Sequence, residues 1–268
     1  MLTSRQFAEG RVLADVEEGV GLITFNQPKK HNAMSVEMWQ GLSDILDIFA
    51  AEDAVRAVVL TGAGHKAFVS GADISQFDEQ RADAAAQVEY DRITRAGRAR
   101  LAAFPKPVIA RIRGYCLGGG LAIALQADLR IAAHDSEFAI PAARLGIAYG
   151  FDMVQALVAL VGPGHARRLL YTGQRIDAEE AERIGLVNKV VADERLSEEV
   201  LELARVMADN APLSLRAMKL AVREAGRSEQ ARDMAAVEQA IAACFDSADY
   251  REGRAAFREK RPPRFVGR

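Results

Sequence analysis

A change of pattern near residue 195 constrains the fold more than any other feature of this chain. Before it, short β-prone runs alternate with helix-like stretches; after it, strand signals vanish. Residues 12–16 and 20–25 read as a hairpin across Glu17-Glu18-Gly19. Residues 57–60, 108–112, 129–133, 137–140 and 186–191 read as further strands. Between them, Ser35 reads as the N-cap of a helix whose Met38, Leu42, Ile45, Leu46 and Phe49 share one apolar face. Residues 82–103, the stretch after Gly120, residues 151–161 and the stretch opened by Asp177 and Glu180 are also helical in pattern. Beyond 195 come four helical stretches, 196–209, 213–225, 229–244 and 249–260. This order predicts an α/β core over residues 1–195 and a helical C-terminal region over 196–268.

Composition narrows the function classes. Half of the 268 residues are hydrophobic and 27% are charged, which is globular composition. Lys+Arg 35 against Asp+Glu 37 gives a net charge of −2, so no nucleic-acid footprint is expected. A local cationic patch for a phosphorylated ligand remains compatible with that balance. Uncharged runs such as 114–127 fall short of the roughly 18 residues of a membrane span, and no membrane role is expected. The opening MLTSRQFAEG lacks the apolar stretch of a signal peptide, and cytoplasmic residence is the expectation. Cys116 and Cys244 stand far apart, which fits a reducing compartment without a disulfide framework. The four histidines, His31, His65, His134 and His165, form no metal-ligand spacing, so no metal is predicted.

Gly118-Gly119-Gly120 is the strongest local signal, because it joins a strand to an apolar helix. Glycine admits unusual φ values and close backbone approach, and the first turn of a helix leaves peptide N–H groups unpaired. Such a place can hold a developing oxyanion, or it can serve close packing of helix on strand. The spacings of a dinucleotide fingerprint and of a P-loop are both missing. In Phe68-Val69-Ser70-Gly71-Ala72-Asp73-Ile74 a strand end runs through glycine, and the Ala72 N–H is a second candidate donor.

Several segments, in order, then point one way: Pro28-Lys29-Lys30-His31-Asn32-Ala33-Met34, SGADI, KPVIARIRGYCLGGGL, ADLRIA, FAIPAARLGI and TGQRIDAEEAERIGLVNKVV. Together with the tail SADYREGRAAFREKRPPRFVGR, they resemble the crotonase superfamily, the enoyl-CoA hydratase/isomerase family, over nearly the whole chain. The resemblance implies a spiral core of ββα units with a C-terminal helical trimerisation region. It implies a lyase or isomerase acting on an acyl-CoA thioester, with coenzyme A as part of the substrate and no separate cofactor. A homotrimer or a dimer of trimers follows from the same likeness. By motif match, the backbone N–H groups of Ala72 and Gly119 hold the thioester carbonyl. Lys29, Lys30 and Ala33 match the early CoA-contacting segment, and Lys260 lies in the tail that reaches a neighbouring subunit's ligand.

The chain departs from the family at two places. The two glutamates that the family's hydratases use to move a proton fall at Ala122 and Ala142. A methyl group transfers no proton, so little or no hydratase activity is expected. Tyr149 matches a tyrosine that methylmalonyl-CoA decarboxylase places in its site, and its hydroxyl is expected to face the α- or β-carbon of the substrate. Asp152 reads as a helix cap, with a catalytic carboxylate as its other reading. Two alternatives accompany the enzyme reading: decarboxylation of a malonyl-type thioester, and a family member that binds acyl-CoA without turnover.

Overall fold

The hairpin expected at residues 12–25 forms and gains a strand before it. In the computed structural model, which describes residues 4–73 and 84–268, β1 (Arg5–Phe7), β2 (Val12–Glu17) and β3 (Val20–Phe25) pair antiparallel in sequence. Ser35 caps α1 (Val36–Ala51), its hydroxyl accepting from the Met38 N–H at 3.3 Å. The chain then returns as β4 (Ala57–Gly62), parallel to β3. Parallel pairing requires a crossover, and α1 supplies it.

From β4 onward the chain repeats a ββα unit. The first has β4, β5 (Ala67–Val69) and α2 (Ala84–Ala103). The next has β6 (Val108–Ile112), β7 (Tyr115–Leu117) and α3 (Gly119–Ala124). A third has β8 (Leu129–Ala133), β9 (Glu137–Ala139) and α4 (Phe151–Thr172). The first strand of each pair joins a large sheet, β1-β2-β3-β4-β6-β8-β11, and the second joins a small one, β10-β9-β7-β5. The remaining members are β10 (Ile176–Asp177) and β11 (Lys189–Val191), with α5 (Ala178–Arg183) between them. This alternation builds the spiral of ββα units.

The central strands β4 and β6 are buried on both faces, as their continuous apolar runs require. Val58 and Leu60 of β4 join a core with Met38, Leu42, Ile45 and Phe49 of α1. Val59 faces the other way, onto Leu196, Val200, Ala204 and Ala208 of α6 (Asp193–Asp209). Thus α6, which the sequence groups with the helical tail, packs on the core sheet. The rest of the tail is α7 (Pro212–Ala225), α8 (Met234–Asp246) and α9 (Ala248–Glu259).

Arg130 of the ADLRIA segment fixes the far end of α3. Its guanidinium is 2% exposed and donates to the carbonyls of Ala127 (2.7 Å), Ala124 (3.3 Å) and Leu186 (2.8 Å). The first two carbonyls lie at and just beyond the end of α3, where helical partners run out, so the arginine supplies donors to buried acceptors there. The helix that carries the glycine run is thereby anchored at its C-terminus.

Candidate active site

The three glycines divide the two readings of the run between them. Gly118 adopts φ 51° and ψ −112°, a conformation that a side chain would oppose. Gly120 serves packing: a Cβ there would lie 1.9 Å from the Val69 carbonyl oxygen. Gly119 is the first residue of α3, and its N–H has no acceptor among the described residues. The Ala72 N–H is likewise without an acceptor among them.

Local pairing explains the second donor. Met34 and Ala72 form an isolated parallel bridge, in which the Met34 N–H donates to the Gly71 carbonyl (2.8 Å) and the Asp73 N–H to the Met34 carbonyl (2.9 Å). In such a bridge the central residue's own N–H points away from its partner strand. The two unpaired donors are neighbours, since a Cβ on Gly119 would lie 3.7 Å from the Ala72 nitrogen. Both residues line a cavity of about 510 Å³.

The cavity lies between α2, the α3 N-terminus and the loop after β9. Its wall includes Met34, Trp39, Ile140, Ala142 and Ile147 on the apolar side. Tyr90, Asp91, Thr94 and Arg98 of α2 and Asp152 of α4 add polar groups. Of the two alanines at the family's glutamate positions, Ala142 lines the cavity, whereas Ala122 is 1% exposed inside α3 and does not. Asp91 and Asp152 are the carboxylates among the described lining residues.

Tyr149 and Asp152 each have a partner that the sequence did not indicate. Tyr149 lines the cavity, and its hydroxyl donates to the Gly118 carbonyl oxygen at 2.9 Å. Burial raises its phenol above the ordinary tyrosine value, so it stays protonated and donating at neutral pH. Asp152 is not the cap of α4, because Gly150 occupies that position. Its carboxylate instead accepts from Arg98 Nε at 3.1 Å, and Arg98 is 9% exposed. Sequence reasoning missed Arg98, whose place on α2 carried no motif.

The residues matched to CoA contact stand apart from the cavity wall. Lys30 Nζ pairs with Asp73 Oδ2 at 2.8 Å, one residue beyond Ala72. Lys29 is exposed on the 28–30 turn, and Ala33 is 7% exposed beside Met34. Lys260 ends α9 in a left-handed conformation, φ 54°. Ile74 of the SGADI segment lies outside the described residues. Among the described residues, no cluster of three His, Cys, Asp or Glu side chains is arranged to hold a metal. No helix among them is long and apolar enough to cross a membrane.

A spiral of ββα units carrying two unpaired backbone donors at a cavity of about 510 Å³ defines a class that comparison with known proteins identifies. The family model described as enoyl-CoA hydratase/isomerase matches residues 15–268, and the chain belongs to that family. A crotonyl-CoA hydratase of Syntrophomonas wolfei is 37% identical over 257 residues, covering 96% of this chain and 98% of that protein. A 2,3-dehydroadipyl-CoA hydratase of Escherichia coli is 34% identical, covering 94% and 97%. The crystal structure of an enoyl-CoA hydratase/carnithine racemase from Magnetospirillum magneticum superposes with a TM-score of 0.92 at 34% identity, covering 98% of this chain and 97% of that one. The chain is therefore a crotonase-fold protein with a helical C-terminal region.

These relatives overturn the expectation of little or no hydratase activity. Proteins 34–37% identical over most of the chain carry the name of hydratases, which points to hydration. The expectation equated two side-chain positions with all proton-transfer capacity. The cavity also holds the carboxylates of Asp91 and Asp152.

Proposed function

We propose that this chain hydrates the double bond of a 2-enoyl-CoA thioester. The observation that supports it is the pair of unpaired N–H groups, Ala72 and Gly119, side by side at one cavity. A thioester carbonyl held between them is polarised before reaction. When the oxygen of water bonds to Cβ, electron density moves onto the thioester oxygen, and the two fixed dipoles meet that charge without reorganising. Asp152, held by Arg98, takes the proton released by the water and returns one to Cα. The names of the relatives support the reaction type.

The test is hydration of crotonyl-CoA, followed by loss of the enoyl absorbance and by mass spectrometry of the product. Asp152→Asn is expected to lower kcat on the order of 10²-fold, as for removal of a general acid–base group. An unchanged rate assigns the proton to Asp91 or to ordered water instead.

Within this reading, Lys29, Lys30 and Ala33 approach the CoA moiety, and Lys260 approaches that of a neighbouring subunit. The homotrimer, or a dimer of trimers, is supported by the large apolar side chains that the tail leaves exposed, Phe257 at 87%, Val222 at 74% and Phe245 at 60%. Sedimentation velocity is expected to give three or six times the 29.1 kDa chain mass; a stable monomer at micromolar concentration contradicts it.

Decarboxylation of a malonyl-type thioester is a second reading. It uses the same oxyanion pair and needs no base to begin, and the alanine at 142 in the cavity wall favours it. Malonyl-type esters in the same assay separate the two reactions by product mass. Turnover of any ester excludes a protein that only binds acyl-CoA.

A further inference from the structure

We propose that Tyr149 is a positioning residue for the oxyanion donor Gly119, acting through the peptide group that joins Gly118 to Gly119. The inference rests on the proposed role of the Ala72 and Gly119 N–H groups. It begins from a single planar unit: the Gly118 carbonyl and the Gly119 N–H belong to the same peptide bond and point in opposite directions across it. Whatever holds the carbonyl aims the N–H.

Two donors hold that carbonyl. The Tyr149 hydroxyl donates to it at 2.9 Å, and the Ala122 N–H donates at 3.0 Å as the first hydrogen bond of α3. The peptide itself is flanked by two residues without a Cβ, so local sterics restrain its rotation less than at any other kind of junction. Gly118, at φ 51° and ψ −112°, sits in the mirror-image β region that glycine shares with several other wells, so its backbone preference does not single out this plane. One helical bond tethers the oxygen from one side; the phenol adds a second fixed direction. That phenol comes from the loop before α4, 31 residues away, and Tyr149 packs against the main core. Its position is therefore set independently of the glycine run.

The same bond also strengthens the donor. Hydrogen bonds accepted by an amide oxygen draw electron density towards it and leave the N–H more positive. Tyr149 thus serves the oxyanion through the Gly118–Gly119 peptide, and the Gly118 carbonyl accounts for where its hydroxyl points.

The experiment uses [1-¹³C]butyryl-CoA, a saturated thioester with no double bond to hydrate, bound to the full-length protein. Isotope-edited infrared difference spectra report the carbonyl band, which moves to lower frequency in proportion to the hydrogen bonds the carbonyl accepts. Tyr149→Phe is expected to return the band at least halfway to its solution position. It should also lower kcat for crotonyl-CoA on the order of 10-fold, with KM changed by less than about 2-fold. A purely structural wall residue would leave the band in place. Incorporating 3-fluorotyrosine at position 149 supplies a more acidic phenol of nearly the same shape, and the band should move further from its solution position. This second variant keeps the test decisive if Tyr149→Phe fails to fold.

If the wild-type band is displaced and both variants leave it unmoved, the positioning role is overturned while the oxyanion pair stands. If the wild-type band is not displaced at all, the oxyanion reading fails, and the role of Tyr149 fails with it.

Discussion

Replacing Gly119 with proline is expected to lower kcat for crotonyl-CoA hydration by about 10²–10³, the loss typical of one oxyanion donor. Proline lacks the N–H that Gly119 directs to the cavity, and its ring carbon occupies the place of that hydrogen. The substitution is otherwise favourable to the fold. Gly119 is the first residue of α3, where proline is readily accommodated, and its N–H makes no hydrogen bond that folding would miss. A Cβ there would meet Gly71 C at 3.6 Å and Ala72 N at 3.7 Å, ordinary contact distances. Gly119→Ala is the control, since it adds the same Cβ and keeps the donor; its kcat should fall by less than about 10-fold, well short of a full donor loss. Circular dichroism and thermal unfolding should show both variants close to wild type. Gly119→Pro retaining wild-type turnover would move the thioester carbonyl away from this pair, and with it the whole reading of the site.

How far the sequence revealed this arrangement depends on the length of the segments involved. The central strands of the large sheet were legible because they form continuous apolar runs, as in β4 with every residue from Ala57 to Thr61 buried, whereas the exposed edge strand β1 carries no such run and was missed. The small sheet was not legible as a sheet, since its strands span two or three residues and show no period. The helix expected at 151–161 does stop there locally. Gly162 breaks it at φ 72°, and the chain resumes at Pro163 as a further helical stretch up to Thr172. The capping signals at Ser35 and Asp177 were read correctly because a cap is a contact within three residues.

Side-chain roles were harder to read, because their partners are remote. Tyr149 was expected at the cavity and does line it, but its acceptor lies in another repeat of the spiral, and no local pattern encodes that contact. Asp152 follows Gly150 closely enough to suggest a cap, yet its partner Arg98 is 54 residues earlier, on α2. The two alanines carried the resemblance furthest astray. Identity at a motif position bears on one route for a proton, whereas the cavity presents every carboxylate that the fold brings to it.

The third glycine of the run yields the largest expected loss of stability. Gly120→Ala would place a Cβ 1.9 Å from the Val69 carbonyl oxygen, 2.7 Å from its carbon and 2.8 Å from its Cβ. No side-chain rotation relieves the first two contacts, because both atoms are backbone in β5. Relief requires α3 to move off the small sheet, against the anchoring of its other end by Arg130. Overpacking of this kind costs about 3 kcal/mol or more. For a chain of this size the midpoint of thermal unfolding should fall by roughly 6–12 °C. The displacement also reaches the site, since Val69 lies three residues before Ala72 and Gly120 directly follows Gly119. Gly120→Ala should therefore lose stability and turnover together, whereas Gly119→Pro loses turnover at nearly unchanged stability. A Gly120→Ala protein that unfolds within about 1 kcal/mol of wild type, well below the cost of an unrelieved overlap, would show that α3 and β5 can separate cheaply. The close approach of helix to strand would then not be what holds the two donors side by side.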